Sequence, residues 1–166
     1  MRSLLTLLFL CCATLVQAQQ FPSRPVRMVV GFAPGGGTDI IARLVSQKLS
    51  ERWRQPVVVE NRTGASGNIG AELVARSAPD GYTLLTAFSS HASNAALSKL
   101  SFDINKDFTS ITQIASGPAV VIANPAVPGK TLAGMIAYAK AHPGSVKYGS
   151  SGIGTPVHLE IGRAHV

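Results

Sequence analysis

The chain alternates short runs rich in β-branched residues with longer stretches whose apolar residues recur at helical spacing. Val26-Arg27-Met28-Val29-Val30 reads as a strand. Ile40, Ile41, Leu44, Val45, Leu49 and Trp53 then form one helical stripe that would face a sheet. Thr38 or Asp39 stands where the N-cap of that helix is expected. Pro56-Val57-Val58-Val59-Glu60 predicts a second strand, hydrophobic almost throughout and so expected to be buried on both faces. Asn68 to Ser77 predicts a helix with Ile69, Leu73 and Val74 inward. Ala78-Pro79-Asp80-Gly81 is a turn, and Tyr82 to Ala87 a third strand. This βαβαβ order implies a parallel sheet with right-handed crossovers.

After His91 the rhythm changes. Pro118 to Ala123 reads as an apolar strand, Thr131 to Ala141 as a helix capped by Thr131 and stopped before Pro143, and Val146-Lys147-Tyr148 as a strand. A boundary between two lobes is expected near residues 100 to 110. At the start of the chain, Arg2 precedes the apolar run Leu4 to Val16, and Val16-Gln17-Ala18 has the small-x-small form of a cleavage site. Residues 1–18 therefore read as a signal peptide, since the run is too short for a span of about 20 residues. Neither cysteine is preceded by the small residues of a lipoprotein box.

Composition narrows the chemistry. Both cysteines, Cys11 and Cys12, fall inside the signal segment, so the mature part has no disulfide and no thiol nucleophile. The formal charge is +7, yet its basic residues are scattered rather than blocked, which argues against nucleic acid. A mild positive field favours anionic ligands.

Three glycine-rich turns each follow a predicted strand and open a predicted helix: Pro34 to Asp39, Gly64 to Asn68, and Gly149 to Thr155. Glycine lets backbone approach a ligand, and a helix N-terminus offers unpaired N–H groups. In an open parallel sheet these turns lie beyond the carboxyl ends of the strands, where ligands bind. Gly31 to Thr38 fits a phosphate-binding loop except that Gly37 stands where lysine is needed. No glycine occupies Ile40 for a dinucleotide fingerprint, and neither Ser66 nor Ser151 completes a nucleophile elbow. No pair among His91, His142, His158 and His165 has metal-ligand spacing, so neither metal nor cofactor is expected. His142 reads as a solvated helix end, whereas His91 follows the third strand and has a place to face a ligand. The residues offer donors rather than a catalytic machine. The competing reading is an extracytoplasmic α/β enzyme that acts on a small anion with His91 or His158 as base.

Several stretches carry a resemblance to a known family: Arg24-Pro25-Val26-Arg27, Pro34-Gly35-Gly36-Gly37-Thr38-Asp39, Val59 to Gly70, Pro79-Asp80-Gly81-Tyr82-Thr83-Leu84, and Tyr148 to Leu159. In matching order they resemble the Bug family, the TctC-like binding components of tripartite tricarboxylate transporters. The resemblance implies an α/β, two-lobed periplasmic-binding-protein fold of the type II, Venus-flytrap kind. It further implies a monomeric, non-enzymatic periplasmic protein that closes on small organic carboxylates and delivers them to membrane transporter subunits. Such proteins hold the ligand carboxylate with loop amides and bridging waters. Carried onto this sequence, the ligand-binding candidates are Phe32, Ala33, Pro34, Gly35, Gly36, Gly37, Thr38 and Asp39, then Gly64, Ala65, Ser66 and Gly67. Ser89, Ser90 and His91 follow, and from the second lobe Ser150, Ser151, Gly152, Gly154 and Thr155.

The expected organisation is a signal peptide over 1–18, a first lobe over 19–104 and an incomplete second lobe over 105–160. Ile161-Gly162-Arg163-Ala164-His165-Val166 equals one reading frame of a common sequencing adapter, so 161–166 is expected to be an artefact and only the N-terminal part of the fold to be present.

Overall fold

A computed structural model describes residues 21–118 and 120–162. The expected signal segment lies outside these residues, as do positions 163–166 of the expected adapter tail.

The fold is α/β. Strand β1 (Val26–Val30) sits between two parallel neighbours, β2 (Val57–Asn61) and β3 (Thr83–Thr86), giving the order β2-β1-β3. Val30 pairs with Asn61 on one side and with Thr86 on the other, so all three strands end at one edge. Helix α1 (Gly37–Trp53) crosses from β1 to β2, and α2 (Asn68–Ala75) from β2 to β3. Helix α3 (Ser90–Leu97) follows β3, and α4 (Leu132–Ala141) and α5 (Pro156–Gly162) complete the described chain.

β1 is buried because it is the central strand. Val26, Met28 and Val30 form the core with Ala42 of α1 and Val57 of β2, flanked by Val45, Leu49 and Trp53. Val29 points to the opposite face and is also fully buried.

The helical stripe of α1 is rotated from the expected one. Ile41, Val45, Leu49 and Trp53 turn toward the sheet with buried Ala42 and Ser46, while Ile40 and Leu44 are exposed. Small residues decide this: Ala42 and Ser46 let the helix approach the strands, and Ser46 Oγ lies 3.2 Å from Met28 Sδ. The N-cap is Gly36, which makes no side-chain cap bond; Thr38 and Asp39 lie inside the first turn. β2 is an edge strand of this sheet, so Val58 is exposed rather than buried on both faces. Ile69, on the outer side of α2, is also exposed; Gly70 and Ala71 are the residues buried there.

Neither 118–123 nor 146–148 forms a strand among the described residues, and Val120, Val121 and Ile122 stand exposed. A strand exists only where a neighbour accepts its backbone bonds, and apolar character alone does not supply one. Helix α4 follows expectation: Thr131 Oγ1 caps it by accepting the Gly134 N–H at 3.1 Å, and the helix ends before Pro143.

Candidate functional site

The three strands deliver their outgoing loops to the same edge of the sheet, which brings 31–36, 62–67 and 87–90 together. The glycine turn leading into α1 is exposed from Ala33 to Gly37. Side chains added at Gly35 or Gly37 would meet nothing within 4 Å, and at Gly36 only the Ala33 carbonyl at 3.4 Å. The amides of Gly37, Thr38 and Asp39 begin a 17-residue helix and have no acceptor four residues back. Those of Gly37 and Thr38, the less buried of the three, form a row of outward donors with the positive end of the helix dipole behind them.

This loop is held from beneath. Asp39, only 2% exposed, accepts the Gly35 N–H and Arg43 Nε on Oδ2, each at 2.9 Å, and Asn61 Nδ2 on Oδ1 at 2.8 Å. Asn61 Nδ2 also donates to the Phe32 carbonyl at 3.0 Å, and its Oδ1 accepts Arg43 Nη2 at 3.1 Å. The Arg43 guanidinium foremost, then the Gly35 N–H, hold the Asp39 carboxyl well below the usual carboxylate range, against the opposing effect of burial. Asp39 is thus ionised at neutral pH and faces inward.

The second turn has an unusual backbone. Gly64, Ala65, Ser66 and Gly67 all have positive φ, at 122°, 46°, 55° and 95°. For Ala65 and Ser66 this left-handed geometry costs roughly 1–2 kcal/mol per residue, so surrounding contacts must impose it. Ser90 Oγ, fully buried, donates to the Ser66 carbonyl at 3.2 Å. His91, 1% exposed, reaches the Gly67 carbonyl with Nε2 at 3.3 Å, while its Nδ1 lies 3.0 Å from the Phe88 N–H. Nδ1 also lies 2.9 Å from the Phe88 carbonyl, so the donor and acceptor roles of the two ring nitrogens depend on the tautomer. Phe32 packs edge-on against Phe88 and His91, with centroids at 5.4 and 6.3 Å. Phe32, Gly67 and His91 therefore form one cluster, and both ring nitrogens of His91 engage backbone.

The third turn closes on the second. Gly152, with φ of 125°, lies so near Ser66 that a Cβ would fall 2.5 Å from Ser66 Oγ. Gly154 is packed as tightly on the side-chain oxygen of Asn94, whose Nδ2 donates to Asn68 Oδ1 at 3.2 Å. Thr155, fully buried, donates from Oγ1 to the Gly152 carbonyl at 2.7 Å and lies 3.4 Å from the His158 N–H. Its hydroxyl serves the entry of α5. Ser89, Ser150 and Ser151 are exposed. An open groove of about 670 Å³ runs along the far side of this junction, between Ala65, Ser66, Ile69, Asn94, Phe102 and Ile153.

Asn61 and Asn94, with Arg43, tie the turns together and were not among the residues singled out by sequence. Asn61 does fall within the Val59–Gly70 stretch that carries the resemblance, but neither its partner nor that of Asn94 is near in sequence. Among the described residues no group of His, Cys, Asp and Glu is arranged to hold a metal ion.

Residues 41–165 match the family model described as the tripartite tricarboxylate transporter family receptor. Protein BugT of Bordetella pertussis is 39% identical over 147 residues, which cover 87% of this chain and 45% of that protein. Among solved structures, the periplasmic binding protein BugD superposes with a TM-score of 0.67 at 31% identity, over 88% of this chain and 50% of that one. MatC from Rhodopseudomonas palustris, solved with bound malate, superposes with a TM-score of 0.66 at 37% identity, over 74% and 42% respectively. The chain spans about half the length of the relatives that it matches.

Proposed function

Because the chain belongs to the tripartite tricarboxylate transporter receptor family, we propose that it captures small organic carboxylates outside the cytoplasm and presents them to transporter subunits in the membrane. The observation that carries this reading is the exposed glycine turn at the start of α1. Its outward amides lie at the same edge of the sheet as the turn at 64–67, and its buried anion faces away from solvent. Such amides bond a carboxylate with charge assistance, roughly 1.5–3 kcal/mol per bond to a charged group. Malate in the MatC neighbour supports carboxylates as the ligand class. BugD, a periplasmic binding protein, supports export, in keeping with the signal-like start of the sequence.

Within this reading, Gly37 and Thr38 supply first-lobe donors and the exposed Ser150 and Ser151 supply donors from the second lobe. His91 and Thr155 act through the turns they hold, because their side chains are buried and engaged with protein. A monomer that closes on its ligand follows the same scheme. The enzyme alternative loses one of its two candidate bases, His91, whose two nitrogens are occupied by backbone, and the family model describes a receptor.

Titration calorimetry of the intact protein with malate, citrate, glutamate and benzoate tests the proposal. The expected result is saturable heat with at least one acid and full recovery of that acid unchanged. Conversion of the acid, or silence across the whole series, would overturn it.

A further inference from the structure

The glycine turn at 33–37 makes almost no packing contacts of its own. It is exposed, and the space around Gly35, Gly36 and Gly37 is open. Its conformation must therefore come from bonds behind it. Those bonds form a closed ring: Asp39 to Arg43, Arg43 to Asn61, and Asn61 back to Asp39. Two spokes leave the ring for the loop backbone, one from Asp39 to the Gly35 N–H and one from Asn61 to the Phe32 carbonyl. Asn61 is the last residue of β2 and pairs in register with Val30, the last residue of β1. The ring is thus anchored to the sheet at the point where the loop departs.

We infer that Asn61 and Asp39 are positioning residues that set the donor row of Gly37 and Thr38 by gripping the loop at Phe32 and Gly35. This inference rests on the carboxylate-binding reading above. A loop aligned before binding loses less conformational freedom when the ligand arrives, so its alignment appears directly in affinity. Arg43 has a second part in the ring. It offsets a carboxylate that would otherwise oppose an incoming anion, and that anion never faces the loop's outer surface.

Asn61→Ala isolates the positional effect, because it removes the spoke to the Phe32 carbonyl and the Asn61 bonds within the ring without changing any charge. Arg43→Lys is the milder companion: it keeps the charge and loses the forked contact to Asp39 and Asn61. We expect Asn61→Ala to weaken malate binding by about tenfold at a temperature well below its melt, and Arg43→Lys to weaken it less. We also expect faster amide exchange at Gly35 in both. The double variant should bind little worse than Asn61→Ala alone, because the two act through one ring. If the wild type binds malate and Asn61→Ala binds equally well, the inference is overturned while the reading of function stands. If the wild type binds none of the acids, that reading fails; unchanged Gly35 exchange in Asn61→Ala would then overturn the ring's grip separately. A lowered melting temperature with unchanged affinity would make the ring structural only, and would also overturn the inference.

Discussion

Gly31 and Gly67 meet backbone to backbone: a Cβ on Gly31 would lie 2.6 Å from the Gly67 Cα and 2.7 Å from its carbonyl oxygen. Gly31 follows β1 directly, and Gly67 is the last residue before α2. The contact is what draws the first two loops into one surface. Gly67 is constrained from its other side as well, because its φ is 95° and a side chain there would press on His91 and Phe32.

Gly31→Ala should therefore destabilise the protein although its φ lies outside the left-handed range. Neither glycine can retreat without moving a strand end or a helix start. The expected loss is about 1–3 kcal/mol, as for other overpacked sites. Urea unfolding reads it as a lower midpoint with the same slope, and an unchanged midpoint would mean that the turn yields easily.

Gly36→Val should do the opposite. Its φ of −74° and ψ of 162° suit any residue, and the only neighbour of an added Cβ is the Ala33 carbonyl at 3.4 Å. The melting temperature should hold, while the side chain projects into the space where a carboxylate would approach. Malate affinity should fall by at least tenfold, about 1.4 kcal/mol. Calorimetry beside a thermal melt separates the two effects.

Asp39 should confer stability that depends on acid in one direction. Its carboxyl is held below the ordinary range, chiefly by Arg43, so the folded state favours the ionised form. That contribution is complete above the unfolded value of about 3.9 and is lost as pH falls through the lower folded value. Asp39→Asn should be less stable at pH 7 by on the order of 2 kcal/mol. The gap between variant and wild type should begin to narrow below about pH 4 and keep narrowing as pH falls toward the lower folded value. Denaturant melts across pH check this, and a gap that persisted at low pH would locate the loss in packing instead.

His91→Phe should expose what the imidazole does. An aromatic ring slightly larger than imidazole is retained, but the Phe88 N–H and the Gly67 carbonyl lose their buried partner. The cost should be about 1–3 kcal/mol, with faster exchange at the Phe88 amide. Retained stability would show that water replaces the imidazole at both bonds.

Local residue chemistry sufficed for the elements that need little from afar. Val26–Val30 was legible to the residue because five residues dense in valine admit little else. The Thr131 cap and the stop before Pro143 follow from one hydroxyl and one missing N–H. The three glycine turns were legible as turns, and the motifs around them carried the family. Tertiary structure alone decided the rest. Helical period cannot say whether Ile40 or Ala42 faces the sheet; the close approach of Ala42 and Ser46 to β1 settles it. Apolar runs at 118–123 and 146–148 cannot become strands without an edge to join. His91 was visible as a residue after a strand, but its burial depends on carbonyl and ring partners up to 59 residues away, at Gly67 and Phe32. The ring of Asp39, Arg43 and Asn61 exists only because parallel pairing sets the end of β2 beside the end of β1. Sequence supplied the donors, and the sheet determined which of them face solvent and which hold the loops in place.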